Sequence, residues 1–285
     1  MRTLLIGTRA GSTLLELRSR IELLAACLFY PEQLGTASND HLATFLTCRI
    51  CDPGKIFIDI GAHIGSVVAG VRHHTKASII AFEAMPDKAA QLSRKFPDIE
   101  VHACALGDEP GEMPFYVNTR KSGYSSLIQP EAAADQTIEE IRVPVMRLDD
   151  LVSSRDVDVI KIDVEGTEFG VLRGSGNVLA QSRPLIMFES GPKADDQLSP
   201  LWQLFADNDY AVLVPNRLAH LDTGLSLEGF LESHRYPRRT TNYFAVPRER
   251  IEEYRSRARR LLGVTPEPPV TTRSQALPER QQPAR

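Results

Sequence analysis

"KIFIDIGAHIGSVVAG", residues 55–70, decides the fold. Its first half is a continuous apolar run of strand length. Its second half, "SVVAGVRHH" with the residues that follow, has helical spacing, and Gly61 and Gly65 lie in the turn between. A buried strand that runs through a glycine-bearing turn into a helix is a common form of nucleotide site. Glycine permits the tight turn and lets a ligand approach the backbone. The usual G-x-G-x-x-G has glycine where this chain has His63. The stretch therefore poses the question of which nucleotide-like ligand it takes.

Outward from this stretch the texture repeats. "ASIIAFEA", "IEVHACAL", "VDVIKIDVEG", "PLIMFES", "YAVLVPN" and "TNYFAVP" read as strands. Between them "PDKAAQLSRKF", "EFGVLRGSGNVLAQS" and "LSPLWQLFADND" carry helical patterns, the first opened by Pro86. "EMPFYV" and "IRVPVMRL" read as strands flanking a long loop from 118 to about 138. Buried strands alternating with helices predict an α/β fold, a mostly parallel sheet with helices on both faces. Residues 1–53 form an N-terminal helical extension that packs on the main domain, or serves as a lid or oligomer contact. Residues 54–263 form the main domain. The Pro-rich segment 264–285 is expected to be disordered.

The totals narrow the class. Of the 285 residues, 42% are hydrophobic and 25% charged, ordinary values for a chain that buries a core. The formal net charge of -4 offers no general basic surface, so nucleic acid is not an expected partner. No run reaches the eighteen or so apolar residues that span a bilayer, and the N-terminus has no apolar core followed by a cleavage site. A cytoplasmic protein without membrane contact is the expectation. Cys48 and Cys51 make a C-x-x-C pair, but no second pair or histidine cluster completes a zinc site. The pair reads as packing or free thiols.

In such sheets ligands bind beyond the carboxyl ends of the strands. Strand one ends at Asp59, Gly61, Ala62, His63 and Gly65. Strand two ends at Glu83 and Ala84, and an acid roughly twenty residues past the turn can accept both ribose hydroxyls of an adenosine. Strand three ends at Ala105, Leu106 and Asp108, which can meet an adenine ring and its amine. An acid at Asp59 would repel a pyrophosphate and suits the amino group and sulfonium of S-adenosylmethionine. Strand four ends in "KIDVEGTE", with Asp163, Glu165 and Glu168, and strand five in Glu189. Acids at the end of a buried strand are costly without a task or partners. They can be a general base, a hydroxyl clamp or a divalent-metal site, or a hydrogen-bond network that caps the helix at Thr167. Only Asp163 and Glu189 are expected to converge, so no metal is assigned.

The blocks "FIDIGAHIG", "AFEAMP", "ALGDE", "SGYSSL", "VPVMRLDDL", "VIKIDVEGTEFGVLRG" and "PLIMFE" follow one another in the order seen in FkbM-type S-adenosylmethionine-dependent methyltransferases. The resemblance covers about residues 55–192, with "NYFAVP" as a weaker echo. It implies a Rossmann-like class I methyltransferase fold, a seven-stranded sheet whose last strand is antiparallel. It also implies methyl transfer from S-adenosyl-L-methionine to a hydroxyl oxygen of a sugar, polyketide or similar small molecule. By position, Asp59, Gly61, Ala62, His63 and Gly65 belong to the methionine-facing loop, and Glu83 with Ala84 to the ribose contact. Ala105, Leu106 and Asp108 belong to the adenine end. Asp163, Glu165, Gly166 and Glu168 match the D-x-E-G-x-E block on the reaction side. The family usually has asparagine where this chain has His63. Asp163 is the first candidate for the base, with His63 and Glu165 beside it as catalytic candidates. Arg120, Lys121 and Tyr124 are candidate acceptor contacts. The rival readings are a nucleotide-dependent oxidoreductase and a non-catalytic cofactor-binding protein.

Overall fold

The structure, a computed structural model, describes residues 9–118, 126–128, 138–152, 156–191, 193–236 and 239–265. Seven strands form the main sheet: β1 (Ile56–Ile60), β2 (Ser78–Phe82), β3 (Glu100–His102), β7 (Val157–Ile162), β8 (Leu185–Glu189), β9 (Tyr210–Leu213) and β10 (Asn242–Pro247). Their order is β3-β2-β1-β7-β8-β10-β9, and only β10 runs antiparallel to its neighbours. Chain order leads outward from β1 to β3, then returns to build β7 and β8 on the other side. The reversal between β1 and β7 is the topological switch point at which such sheets open a ligand crevice.

Apolar clusters cover both faces, which is why β1, β2, β7 and β8 are near-continuous runs of Ile, Val and Phe. One cluster includes Ile58, Ile160 and Phe188, the other Phe57, Val159 and Phe244. The helices against the sheet include α3 (Ser66–His74), α4 (Pro86–Lys95), α6 (Glu168–Arg173), α7 (Gly176–Gln181), α8 (Asp195–Asp207), α9 (Leu227–Ser233) and α10 (Ile251–Leu262). Helix α4 opens on Pro86 as the sequence suggested, since the first helical turn does not need that residue's amide.

All six residues of β7 are buried, yet two are charged. At its N-terminal end Asp158 accepts from Arg257 Nη1 at 2.7 Å, Arg250 Nη2 at 3.0 Å and Tyr254 OH at 3.0 Å, all from α10 or the turn before it. The Asp52 amide adds a fourth donor at 3.0 Å. Burial pushes the Asp158 carboxyl up, but the amide and the Arg257 guanidinium outweigh it and hold it below the ordinary carboxylate range. The second buried charge, Lys161, belongs to the candidate site.

"IEVHACAL" is not one strand. It breaks after His102, and β4 (Ala105–Leu106) leaves the main sheet to pair with β6 (Ile138–Met146). With β5 (Gly111–Asn118) these make a second sheet, order β4-β6-β5, held by Phe115, Val117 and Val143. It stands over the carboxyl ends of β1, β2 and β7. The short α5 (Leu148–Val152) leads from β6 back to the main sheet. Gly174, between α6 and α7, lies against this join: a Cβ there would sit 2.1 Å from the Gly107 carbonyl oxygen.

The N-terminal region contributes α1 (Arg9–Phe29) and α2 (Leu34–Thr47). Asp40 on α2 accepts from Thr240 Oγ1 at 2.7 Å, the Thr241 amide and Asn242 Nδ2, and Asn39 bonds the Arg239 carbonyl. Helix α2 is thereby fixed to the start of β10. Cys48 and Cys51 are buried free thiols, with Cys48 packed on Gly70 of α3. Among the described residues no helix is long and apolar enough to cross a membrane. Residues 266–285, expected to be disordered, lie outside the described residues.

Gly174→Ala is expected to lower stability by about 1–3 kcal/mol, because backbone on both sides must move to admit one methyl. A shift of the urea midpoint to lower concentration, at unchanged slope, is the measurement.

Candidate active site

A cleft opens at the β1/β7 switch point, beneath the second sheet, with an empty volume of about 570 Å³ including its solvent-facing mouth. Gly61 and His63 line one wall. Glu83, Ala84, Met85 and Lys88 follow along it. Cys104, Ala105, Leu106, Phe115 and Leu127 make an apolar end, and Asp163, Glu165 and Thr167 stand at the other. A mostly apolar cleft with a few convergent polar groups is the usual form of a small-molecule site.

The loop after β1 is built by its backbone. Gly61 has φ +76°, and a Cβ on it would lie 1.9 Å from the Asp163 carbonyl oxygen, so only glycine fits. The Gly61 and Ala62 amides both donate to the Phe82 carbonyl at 3.0 Å. His63 has φ +51°, the left-handed region that asparagine and histidine enter more readily than most side chains. Its amide donates to Glu83 Oε2 at 2.7 Å, and the Met85 amide donates to Glu83 Oε1 at 3.0 Å. Glu83 thus ties together the turns after β1 and β2. Each carboxylate oxygen still has a lone pair for a ligand hydroxyl. Burial raises its pKa.

Lys161 joins β1 to β7. The register sets it directly across from Asp59 on the same face. Its Nζ lies 3.1 Å from Asp59 Oδ1 and 3.4 Å from Asp163 Oδ2, and donates to the carbonyls of Gly61 at 2.9 Å and Ile60 at 3.3 Å. Burial alone would lower the lysine pKa. The Asp59 and Asp163 carboxylates outweigh burial and raise it, so the ammonium form is held.

Four expected cofactor residues lie off the cleft. Asp59 is fully buried, 3.1 Å from Lys161 Nζ, and does not line the cleft; burial raises its pKa against the pull of that ammonium. Ala62 is buried in the core, and Gly65 caps α3 with φ +81°, where a Cβ would meet Phe96 and Leu92. Asp108 turns away to Arg173, 3.2 Å from its Nε. Gly61, His63, Glu83, Ala84, Ala105, Leu106, Asp163 and Glu165 do line the cleft. Arg120, Lys121 and Tyr124 lie outside the described residues.

The D-x-E-G-x-E block folds as one tight loop. Glu165 has φ +53° and Gly166 φ +111°. Glu168 does not reach into the cleft: buried at the start of α6, it accepts from the Gly166 amide at 2.8 Å and from Lys193 Nζ at 2.9 Å. The Glu165 carbonyl accepts from Ser126 Oγ at 2.8 Å, which pins the loop to the second sheet.

Asp163, Glu165 and Glu189 each bring a carboxylate oxygen within 4.8 Å of the others. The sequence pointed to Asp163 and Glu189 as a pair; Glu165 is the third member because its left-handed backbone swings it round to them. Burial pushes Asp163 up, but the Lys161 ammonium and a hydrogen bond with Glu189 outweigh it and hold Asp163 below the ordinary range. Burial, then the Asp163 charge, pushes Glu189 up to about 9, so at neutral pH it holds a proton. Burial, with the Asp163 and Glu168 charges, raises Glu165 to about 7. Three such oxygens are the donor type for a hard divalent cation. The Lys161 ammonium reaches this group, 3.4 Å from Asp163 Oδ2. His63, in contrast, is lowered to about 4 by burial and then by the Lys88 and Lys161 cations, so it is neutral and a weak base. Sequence reading missed Met85, Lys88, Phe115, Leu127 and Thr167 as cleft residues. Phe115 was accessible in part, because the alternation in "EMPFYV" gives it an inward face.

The arrangement is that of a class I methyltransferase: a seven-stranded sheet with one antiparallel strand and a cleft at the switch point. Residues 59–212 match the family model described as the methyltransferase FkbM domain, and this chain belongs to that family. It is 29% identical over 144 residues to "Methyltransferase 1" of Beauveria bassiana (strain ARSEF 2860), covering 42% of this chain and 58% of that protein. It is 31% identical over 159 residues to the 31-O-demethyl-FK506 methyltransferase FkbM of Streptomyces tacrolimicus, covering 43% of this chain and 60% of that one. The chain therefore spans less than two thirds of the curated relatives it matches. Among solved structures, a methyltransferase FkbM from Methylobacillus flagellatus KT aligns with TM-score 0.43 and 18% identity, over 68% of this chain and 43% of that one.

Two substitutions probe this frame. Lys161→Met leaves Asp59 buried without its cation and should cost about 3–5 kcal/mol in chemical denaturation, with part recovered by adding Asp59→Asn. His63→Asn should keep both the left-handed turn and the fold's stability. His63→Val should lose about 1–2 kcal/mol, because a β-branched side chain resists that conformation.

Proposed function

We propose that the protein is an S-adenosylmethionine-dependent O-methyltransferase acting on a hydroxyl of a small metabolite. The observation that carries this reading is the carboxylate group of Asp163, Glu165 and Glu189 at one end of the family's cleft, with Glu83 and an apolar slot at the other. The residues fit the cofactor's parts: Glu83 has lone pairs for ribose hydroxyls, Ala105, Leu106 and Phe115 suit a flat base, and the acidic end suits a cation. The relative named 31-O-demethyl-FK506 methyltransferase supports an oxygen acceptor.

When bound, S-adenosylmethionine supplies a methyl group already activated on a sulfonium sulfur. What remains for the chain is alignment and one proton. Glu165 accepts the hydrogen bond of the acceptor hydroxyl and would take its proton as the methyl–oxygen bond forms and the methyl–sulfur bond breaks, since a base works best with a pKa near the working pH. Asp163, held ionised by Lys161, contributes the negative charge that helps to raise Glu165 to about 7. Glu189 keeps its own proton and holds Asp163 in place. The base thus moves from Asp163, the first choice on sequence, to Glu165. His63 serves through its backbone amide, which positions Glu83.

Glu165→Gln should lower the rate by about 10²–10⁴-fold while calorimetry shows S-adenosylmethionine binding within a few-fold of the parent. The parent's rate should rise with pH through about 7, because a raised carboxyl pKa leaves the base protonated below it; the variant should lack that limb. A screen of hydroxylated metabolites with methyl-labelled cofactor tests the reading as a whole. Nicotinamide reduction without label transfer would favour an oxidoreductase. Cofactor binding without turnover on any acceptor would favour a non-catalytic binder.

A further inference from the structure

Helix α1 carries apolar residues on two sides. Ala26 is buried and Leu23 half-buried where the helix packs on α2 and α3. On another side Leu17, Ile21, Leu24 and Leu28 are between 52% and 64% exposed, and Phe29 and Tyr30, at and just past the helix end, are 71% and 56% exposed. The steps from 17 to 21, 24 and 28 are four, three and four residues. That is the alternation of a coiled-coil seam, narrower than the broad face by which a helix joins a globular core. In sequence Leu14 extends the alternation by one further step.

The four seam side chains present on the order of 400 Å² of surface, as much as a typical monomer's largest apolar patch, which often has a task. Two copies facing across a twofold axis would bury about twice that, the size of a weak, concentration-dependent pairing. The stripe is flanked by exposed Arg20 and Glu22, charges of both signs, whereas a helix lying on an anionic membrane has a basic polar face. None of these residues lines the cleft. We propose that α1 is a self-association helix, which pairs two copies of this chain seam to seam and leaves both clefts open.

Sedimentation equilibrium of the full chain at tens of micromolar should give twice the 31.7 kDa chain mass. Ile21→Glu with Leu24→Glu should give the single-chain mass with the parent's circular-dichroism spectrum, since both residues are exposed in the single chain. Chemical cross-linking gives a second, independent readout. Cys27 on α1 is exposed, while Cys48, Cys51 and Cys104 are buried. A flexible bis-maleimide should therefore link two parent chains, and should link neither the Cys27→Ser protein nor the double variant. A parent chain of single mass, or a double variant that still pairs and cross-links, would overturn the proposal. So would a single-mass parent that floats with phosphatidylserine vesicles, which would assign the stripe to a lipid surface.

Discussion

One ammonium group organises the candidate site. Lys161 Nζ sits between the ends of the two strands at which the sheet reverses and meets two carboxylates and two carbonyls. A buried lysine is tolerated only with such partners. The partners are also the parts of the site: the Gly61 carbonyl belongs to the loop after β1, and Asp163 to the acidic end of the cleft. A cation that is satisfied only when both are in place makes the position of each depend on the other. The protein core and the site are therefore the same structure at this point.

The carboxylates around it show how one neighbourhood gives three acids three different states. Asp163 lies next to the ammonium and stays ionised. Glu189 lies next to Asp163 and keeps its proton. Glu165, raised by burial and the Asp163 and Glu168 charges, falls between. The separation comes from burial, from the Lys161 ammonium beside Asp163, and from the Asp163 charge felt by the two glutamates.

Much of this was legible in the sequence, and the limits have definite causes. Apolar runs alternating with helical patterns gave the sheet, and the order of short blocks gave the family. Strand ends pointed to His63, Glu83, Asp163 and Glu165. Asp59 was misjudged because its partner is 102 positions away, and only strand register sets Lys161 opposite it. Asp108 was misjudged because β4 leaves the main sheet, a change of sheet that no local pattern encodes. The place of Glu165 beside Asp163 and Glu189 was not legible, because alternation along an extended chain would point it away from Asp163. Its positive φ breaks that alternation, and a non-glycine residue gives little sign of such a turn in advance.

The two buried charges of β7 have a further consequence. Parallel strands of Val and Ile offer little to tell one alignment from the next, and a shift by one residue exchanges the faces of every side chain. Asp158 and Lys161 lie on opposite faces, each with a dedicated set of partners at its own end of the strand. A shifted β7 would strand both charges in apolar surroundings. The pair therefore acts as a two-point key for the folding chain, which admits the central strand in one alignment and penalises its neighbours.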